Sequence, residues 1–396
     1  MINLVKKITP NTPCFYVNIK VDTFDDYFLL MMYYWIIAIV ALLIVTYFIV
    51  INGKPFGGVP KGKRLQRIKQ SKLYRNKQFQ NISHTPSIAE GYKMSKVTYD
   101  FFLGKKHPLL KPLKGIPSIQ TDLKTLDKNT DVFIWLGHSS YYLQTDGVSF
   151  LIDPVLSLYG SPFKYFNKAF KGSDIYKPED IPELDYLIIT HDHFDHLDYP
   201  TVQSIRDRTH KAIVPLGVGV HLERWGYQEN QLIEEEWGTE VDLKNNIKIA
   251  FTPARHFSGR RLRQNDTLWT SYVLETPTKK IFLGGDSGYD SHFKMIGEKY
   301  GPFDYAILEN GQYGEAWRYI HALPEDVIQA SIDINAKKII PVHAAKFALA
   351  LHPWNEPLQK ITNLGKEKNL DILTPMIGEV VELNNSSQQF TVWWED

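Results

Sequence analysis

The sequence predicts an α/β fold that gathers polar residues at the ends of its strands, preceded by one membrane-crossing helix. Three observations predict it. Short apolar or β-branched runs alternate with helical stretches from residue 131 onward, and each candidate ligand stands just past the end of such a run. The densest group of polar residues is the stretch 190–198, Thr-His-Asp-His-Phe-Asp-His-Leu-Asp. Residues 27–51 carry no charge at all.

Residues 187–190, Leu-Ile-Ile-Thr, read as a buried strand running into the His-rich turn. Alternate residues at a strand end point to one side, so His191 and His193 can reach the same metal ion. Asp195 and His196, past the bend, are then placed to serve a second ion. Imidazole nitrogen with carboxylate oxygen suits zinc, and also iron or manganese.

The composition narrows the classes further. The 396 residues hold 45 basic and 44 acidic side chains, a net charge of +1, which gives no electrostatic case for nucleic acid as partner. Cys14 is the one cysteine, so neither an internal disulfide nor a thiolate metal site can form. That length accommodates one large domain or two small ones.

Four regions follow: a tail at 1–26, a transmembrane helix at 27–51, a basic lead-in at 52–130 and a domain carrying the candidate ligands at 131–396. The apolar run exceeds the roughly 20 residues that cross a bilayer, and Tyr33, Tyr34, Trp35, Tyr47 and Phe48 stand toward its ends as interfacial aromatics do. It ends in Ile51-Asn52-Gly53-Lys54, a poor site for signal cleavage. Lys54, Lys61, Lys63, Arg64, Arg67, Lys69 and Lys72 follow it, whereas Asp22, Asp25 and Asp26 precede it, so the positive-inside rule puts the large C-terminal part in the cytoplasm. Met31 and Met32 are alternative start points. The basic stretch 61–77 either lies against anionic headgroups or is a solvated linker. Residues 87–103 hold a helix, and the prolines of 105–113 make that stretch extended.

The body then reads in order. Residues 132–136 form a strand ending at Gly137-His138. Residues 141–144 and 148–152 form a hairpin turned by Asp146-Gly147 and ending in Asp153-Pro154. Residues 161–170 are aromatic and basic without periodicity, a loop that touches a lipid surface or simply packs. Helices follow at 199–208 and 219–225, with strands at 212–216 and 243–252, the latter leading to His256. A hairpin at 269–275 and 280–283 leads to Gly284-Gly285-Asp286-Ser287-Gly288. A helix at 291–300, a strand at 305–308, a helix at 324–334 and a strand at 338–341 lead to His343.

The pattern His191-x-His193-x-Asp195-His196, His256, Asp286 within Gly-Gly-Asp-Ser-Gly, and His343 resembles the metallo-β-lactamase fold superfamily. The resemblance implies an αββα sandwich with a two-metal site along one edge. More narrowly, Trp135-Leu-Gly-His138, Pro200, Gly301-Pro-Phe-Asp304 and Tyr319-Ile-His321 resemble the N-acylphosphatidylethanolamine-hydrolysing phospholipases D, although lactonases acting on phosphorylated sugars share much of this pattern. Two features depart from those phospholipases: the strong N-terminal membrane helix, and Ala344-Ala345 where relatives tend to have Trp-Gly.

The resemblance implies that His191, His193 and His256 hold one zinc. Asp195, His196 and His343 would hold the other, with Asp286 bridging. Asp286, Asp195 and His321 are the expected catalytic residues, His321 binding the headgroup or protonating the leaving alkoxide. Two ions lower the pKa of bound water toward 7, so no serine or cysteine nucleophile is needed, and no Gly-x-Ser-x-Gly elbow is present. Asp192 is read as orienting a ligand imidazole. His138 stands near the metals or makes a structural hydrogen bond. His84, His107, His210, His221, His292 and His352 are structural.

The expected activity is phospholipase D-type hydrolysis of N-acylphosphatidylethanolamine by a single-pass membrane enzyme. The alternatives are a lactonase or phosphodiesterase acting on a small water-soluble phosphorylated substrate, and a membrane protein whose metal site is only structural. Expected partners are the phospholipid substrate and the membrane, with homodimerisation open and nucleic acid not expected.

Overall fold

The computed structural model describes residues 2–9 and 12–19 as backbone, and residues 23–261 and 263–395. The chain divides into two compact units, Met1–Gly53 and Lys54–Asp396. In the first, β1 (Ile2–Thr9) pairs antiparallel with β2 (Thr12–Ile19), a hairpin the sequence reading did not anticipate. Cys14 lies in β2, among the side chains outside the description. Helix α1 (Phe24–Ile51) begins at Thr23, whose hydroxyl accepts the Asp26 N–H at 3.3 Å, and Asp25 and Asp26 face the positive end of the helix dipole. Its 28 residues extend about 42 Å at 1.5 Å each, so it is long and apolar enough to cross a membrane.

The second unit starts with α2 (Gly62–Gln70), the short strands β3 (Tyr74–Arg75) and β4 (Gln78–Phe79), and α3 (Met94–Phe102). The basic stretch is neither free linker nor free for headgroups throughout: Arg64 pairs with Glu223 at 2.7 Å and Glu234 at 2.8 Å. The helix expected at 87–103 is confined to α3. Ahead of it the chain turns at Gly91 (φ 86°), and Ala89 donates its N–H to Ala316 O rather than to a helical carbonyl.

Two seven-stranded sheets follow. One runs β10-β9-β8-β7-β6-β5-β18: β5 (Val132–Trp135), β6 (Tyr141–Thr145), β7 (Val148–Ile152), β8 (Leu184–Ile188), β9 (Thr209–Pro215), β10 (Leu232–Glu235) and β18 (Val380–Glu382). The other runs in chain order: β11 (Glu240–Asp242), β12 (Lys248–Thr252), β13 (Ser271–Glu275), β14 (Lys280–Leu283), β15 (Phe303–Glu309), β16 (Ala336–Val342) and β17 (Asp371–Ile372). Asp146 (φ 49°) and Gly147 (φ 73°) both take the left-handed conformation a two-residue β6–β7 hairpin demands. The strand expected from 243 begins only at Lys248, because Asn245 and Asn246 take left-handed turn conformations.

Period-2 alternation sets the layers. Phe133 and Trp135 face the second sheet, in a core with Phe150, Phe251, Tyr272 and Ile307. Val132 and Ile134 face the other way, onto α4 (Tyr199–Ile205) and α5 (Gly219–Arg224) through Val202, Ile205, Leu222 and Trp225. The outer face of the second sheet is covered by α6 (His292–Tyr300), α7 (Pro324–Asp333) and α8 (Glu356–Glu367). The order is αββα, as expected.

Phe150 is fully buried between the sheets and stacks on Tyr186 at 5.4 Å. Phe150→Ala is expected to destabilise the domain by about 3–5 kcal/mol, and Phe150→Leu by clearly less. Denaturant unfolding in detergent reads both, and equal costs would show that the two sheets close up over the gap.

Candidate metal centre

The polar residues at one edge of the sandwich come from seven strand ends, Asp153 following β7. His138 follows β5, the turn 191–196 follows β8, and His256 follows β12. Asp286 follows β14, Glu309 ends β15 and His343 follows β16. Three of the residues here are held at positive φ without being glycine, His138 (55°), Asp153 (41°) and His343 (65°), a strained conformation that persists only where the surroundings impose it.

The side chains form interlocking groups. His191, His193 and His256 make one, with His191 Nε2 2.8 Å and His256 Nε2 3.2 Å from His193 Nδ1. His138, Asp195, His196 and His343 make another. Asp286 lies between them: its Oδ2 is 3.0 Å from His196 Nε2 and 3.9 Å from His191 Nε2, and its Oδ1 is 3.1 Å from His343 Nδ1. The seven residues picked from sequence therefore converge. His138, left open from sequence, joins them, with Nε2 3.0 Å from Asp195 Oδ2.

Hydrogen bonds on the far side of each ring aim the free nitrogens inward. His196 Nδ1 donates to Asp153 Oδ2 at 2.8 Å, and His256 Nδ1 donates to Ile320 O at 2.7 Å. Thr190 Oγ1 donates to Asp153 at 2.6 Å and so accepts from His191 Nδ1 at 3.0 Å. In its neutral form each of these rings keeps an Nε2 lone pair facing the cluster, the tautomer a metal ligand requires. His196 Nε2, His343 Nε2 and Asp286 Oδ1 are buried and have no hydrogen-bond partner among the described residues.

The electrostatics point the same way. Burial, followed by the neighbouring imidazoles, holds His191 well below the usual histidine range. Burial does the same to His256 and His343, so these rings are neutral donors. Burial pushes Asp286 up, but His196 and His343 outweigh it and hold the carboxyl well below its ordinary range. Asp195 is lowered against its burial by the hydrogen bond from His138 and the charge of His196. Buried carboxylates among neutral imidazoles call for cations. Four-coordinate zinc with bonds of about 2.0–2.1 Å places its ligand atoms roughly 3.3 Å apart, close to the spacing here. The cluster is suited to metal.

His321 stands beside it, Nδ1 2.7 Å from Glu309 Oε2 and 4.0 Å from Asp286. The Glu309 charge and hydrogen bond outweigh burial and raise His321 to about 9. Glu309 accepts the Ser287 and Ala322 N–H groups at 3.0 Å with its other oxygen.

Sequence reasoning missed Glu309 and Asp153. The available signal was shared by both: an acid directly after a run of buried strand residues, where the ligands also stand. Asp192 departs from expectation. Its carboxylate turns away from the ligand rings to accept from Gly259 N at 2.7 Å, Thr267 Oγ1 at 2.9 Å and His221 Nε2 at 3.2 Å. Asp198 caps α4. His292 bonds Ser287 Oγ and His352 accepts from Gln312 N. In the loop 161–170, Phe163, Tyr165 and Phe166 are exposed, whereas Phe170 is buried. His193, Phe194, Asp195 and Phe257 are half-buried, whereas the other ligand-type side chains of the cluster are buried.

Comparison with known proteins agrees with this fold. A model of the beta-lactamase superfamily domain matches residues 149–344. An uncharacterized protein of Mycobacterium tuberculosis is 32% identical over 330 residues, which is 82% of this chain and 88% of that one. The N-acyl-phosphatidylethanolamine-hydrolyzing phospholipase D 1 of Caenorhabditis elegans is 28% identical over 343 residues, covering 80% of this chain and 94% of the worm protein. The crystal structure of a "possible metal-dependent hydrolase" from Veillonella parvula superposes with a TM-score of 0.51 at 16% identity, over 64% of this chain and 99% of that one. Fold and site define a metal-dependent hydrolase. The chain belongs to the metallo-β-lactamase superfamily.

Asp153→Asn removes the charge that holds the His196 ring. Metal affinity is expected to fall about 10- to 100-fold, read by zinc titration against a competing chelator. Unchanged affinity would show that His196 is aimed without Asp153.

Proposed function

We propose that this protein is a membrane-anchored two-zinc phosphodiesterase that hydrolyses N-acylphosphatidylethanolamine to phosphatidic acid and an N-acylethanolamine. The observation that carries the reading is Asp286, a buried carboxylate between two trios of ligand-type side chains. His191, His193 and His256 would hold one ion, Asp195, His196 and His343 the other, and Asp286 both. Iron or manganese would suit the same donors. When bound, the pair of ions supplies an activated water and polarises a phosphoryl oxygen. The similarity to the worm phospholipase D, across most of both chains, supports the substrate class.

The chain's own residues do the rest. Asp153, Thr190 and the Ile320 carbonyl lock three imidazoles in their ligand tautomer. Glu309 holds the proton on His321 Nδ1, and a His321 raised to about 9 is cationic at neutral pH. Its remaining N–H can hold the phosphate or protonate the ethanolamine oxygen as the P–O bond breaks. The transmembrane helix at 27–51 would tether the enzyme to its lipid, with the basic residues after it placing the hydrolase domain in the cytoplasm.

The full-length protein in mixed lipid–detergent micelles is expected to release phosphatidic acid and N-acylethanolamine, followed by mass spectrometry. Asp286→Asn should reduce release to the uncatalysed background. Turnover of a soluble phosphorylated ester or lactone, with none of the lipid, would overturn the substrate class. His321→Gln is expected to lower kcat on order of 10²- to 10⁴-fold with both metals retained. An unchanged kcat would remove His321 from the chemistry.

A further inference from the structure

Residues 54–58 open the second unit as a short strap beside the His-rich turn. The Lys54 carbonyl accepts the Trp225 indole N–H at 2.8 Å. The Pro55 carbonyl accepts twice from Arg260, from Nε at 3.0 Å and Nη2 at 2.6 Å. Arg260 is only 4% exposed, and its guanidinium lies over the Phe194 ring at 4.1 Å. Its Nη1 donates to Asp192 O at 2.8 Å and Leu197 O at 2.7 Å. Those two carbonyls bracket the segment bearing His193, Asp195 and His196. A rigid planar fork thus joins the strap to both ends of the ligand segment, and every one of these bonds is to a backbone carbonyl.

A second connection runs in parallel. Gly58 N–H donates to His221 Nδ1 at 3.1 Å, so neutral His221 carries its proton on Nε2 and donates it to Asp192 Oδ2 at 3.2 Å. Asp192 sits between the ligands His191 and His193. The strap fits tightly: Gly57 has φ 64°, and a Cβ there would stand 1.9 Å from His221 Nδ1. Phe56 adds an edge contact to Phe194 at 5.6 Å.

We propose that the strap at 54–58 is a working part of the metal centre. Through Arg260 and His221 it sets where the turn places its ligands, and Arg260 is a positioning residue for metal retention. This rests on reading His191, His193, Asp195 and His196 as ligands. It explains why a buried guanidinium directs its hydrogen bonds to backbone carbonyls although the Asp192, Asp195 and Asp198 charges lie near enough to act on it: the group is kept for its geometry. It also makes the first residues after the membrane helix part of the site.

The test uses full-length protein in detergent, loaded with zinc alone, with metal per chain and its loss to a chelator as readouts. Arg260→Met and Gly57→Ala are expected to lose zinc about 10- to 100-fold faster than the unsubstituted chain, with Arg260→Lys in between. Circular dichroism checks that each variant is folded. Gly57→Ala keeps every polar group and carries the test if Arg260→Met does not fold. Zinc retention by folded Arg260→Met or Gly57→Ala equal to that of the unsubstituted chain would overturn the proposal. An unsubstituted chain that binds no zinc would instead overturn the ligand reading beneath it.

Discussion

Asp286 is a carboxylate only 3% exposed, with five imidazoles around it: His191, His196, His256, His321 and His343 all place a nitrogen within 4.0 Å of its oxygens. A charge so placed stands only if positive charge answers it. Within the described chain, the answering charges are protons on His196 and His321, both raised by the acids beside them. Metal ions answer the same demand and also use the lone pairs of the neutral rings. The strand ends from both sheets are arranged to satisfy this one requirement.

That requirement explains the cost visible elsewhere. His138, Asp153 and His343 are held in left-handed conformations, and Asp153 is buried with its carboxyl raised by desolvation. These features oppose stability and are offset by the two-sheet core and its helical covers. Lys346 makes the point again: it is 1% exposed, lowered to about 8 by burial, and donates to Leu136 O and Val155 O next to the loop that carries His138. Buried polar groups around this edge hold backbone in place for the cluster.

Much of the candidate site was legible because its ligand-type residues follow strand ends in sequence, and strand ends show themselves as apolar runs. The hairpin at Asp146-Gly147 was legible because only a few residues accept both its backbone conformations. Asp153, Glu309 and Arg260 were not read as site residues, since each acts through a partner outside its own motif: Asp153 on His196, Glu309 on His321, Arg260 on Pro55. Asp192 misled for the same reason. Its neighbours in sequence are ligand-type histidines, but its carboxylate is claimed by His221, Thr267 and Gly259. The short edge strands β10, β11, β17 and β18 escaped because two to four residues carry no period to read.

The central claim is that Asp286 joins two metals. X-ray absorption spectroscopy on the zinc-loaded, full-length protein tests it most directly. The account predicts two zinc ions per chain with metal–metal scattering at about 3.5–4 Å. One zinc per chain, with no metal neighbour in that range, would contradict it.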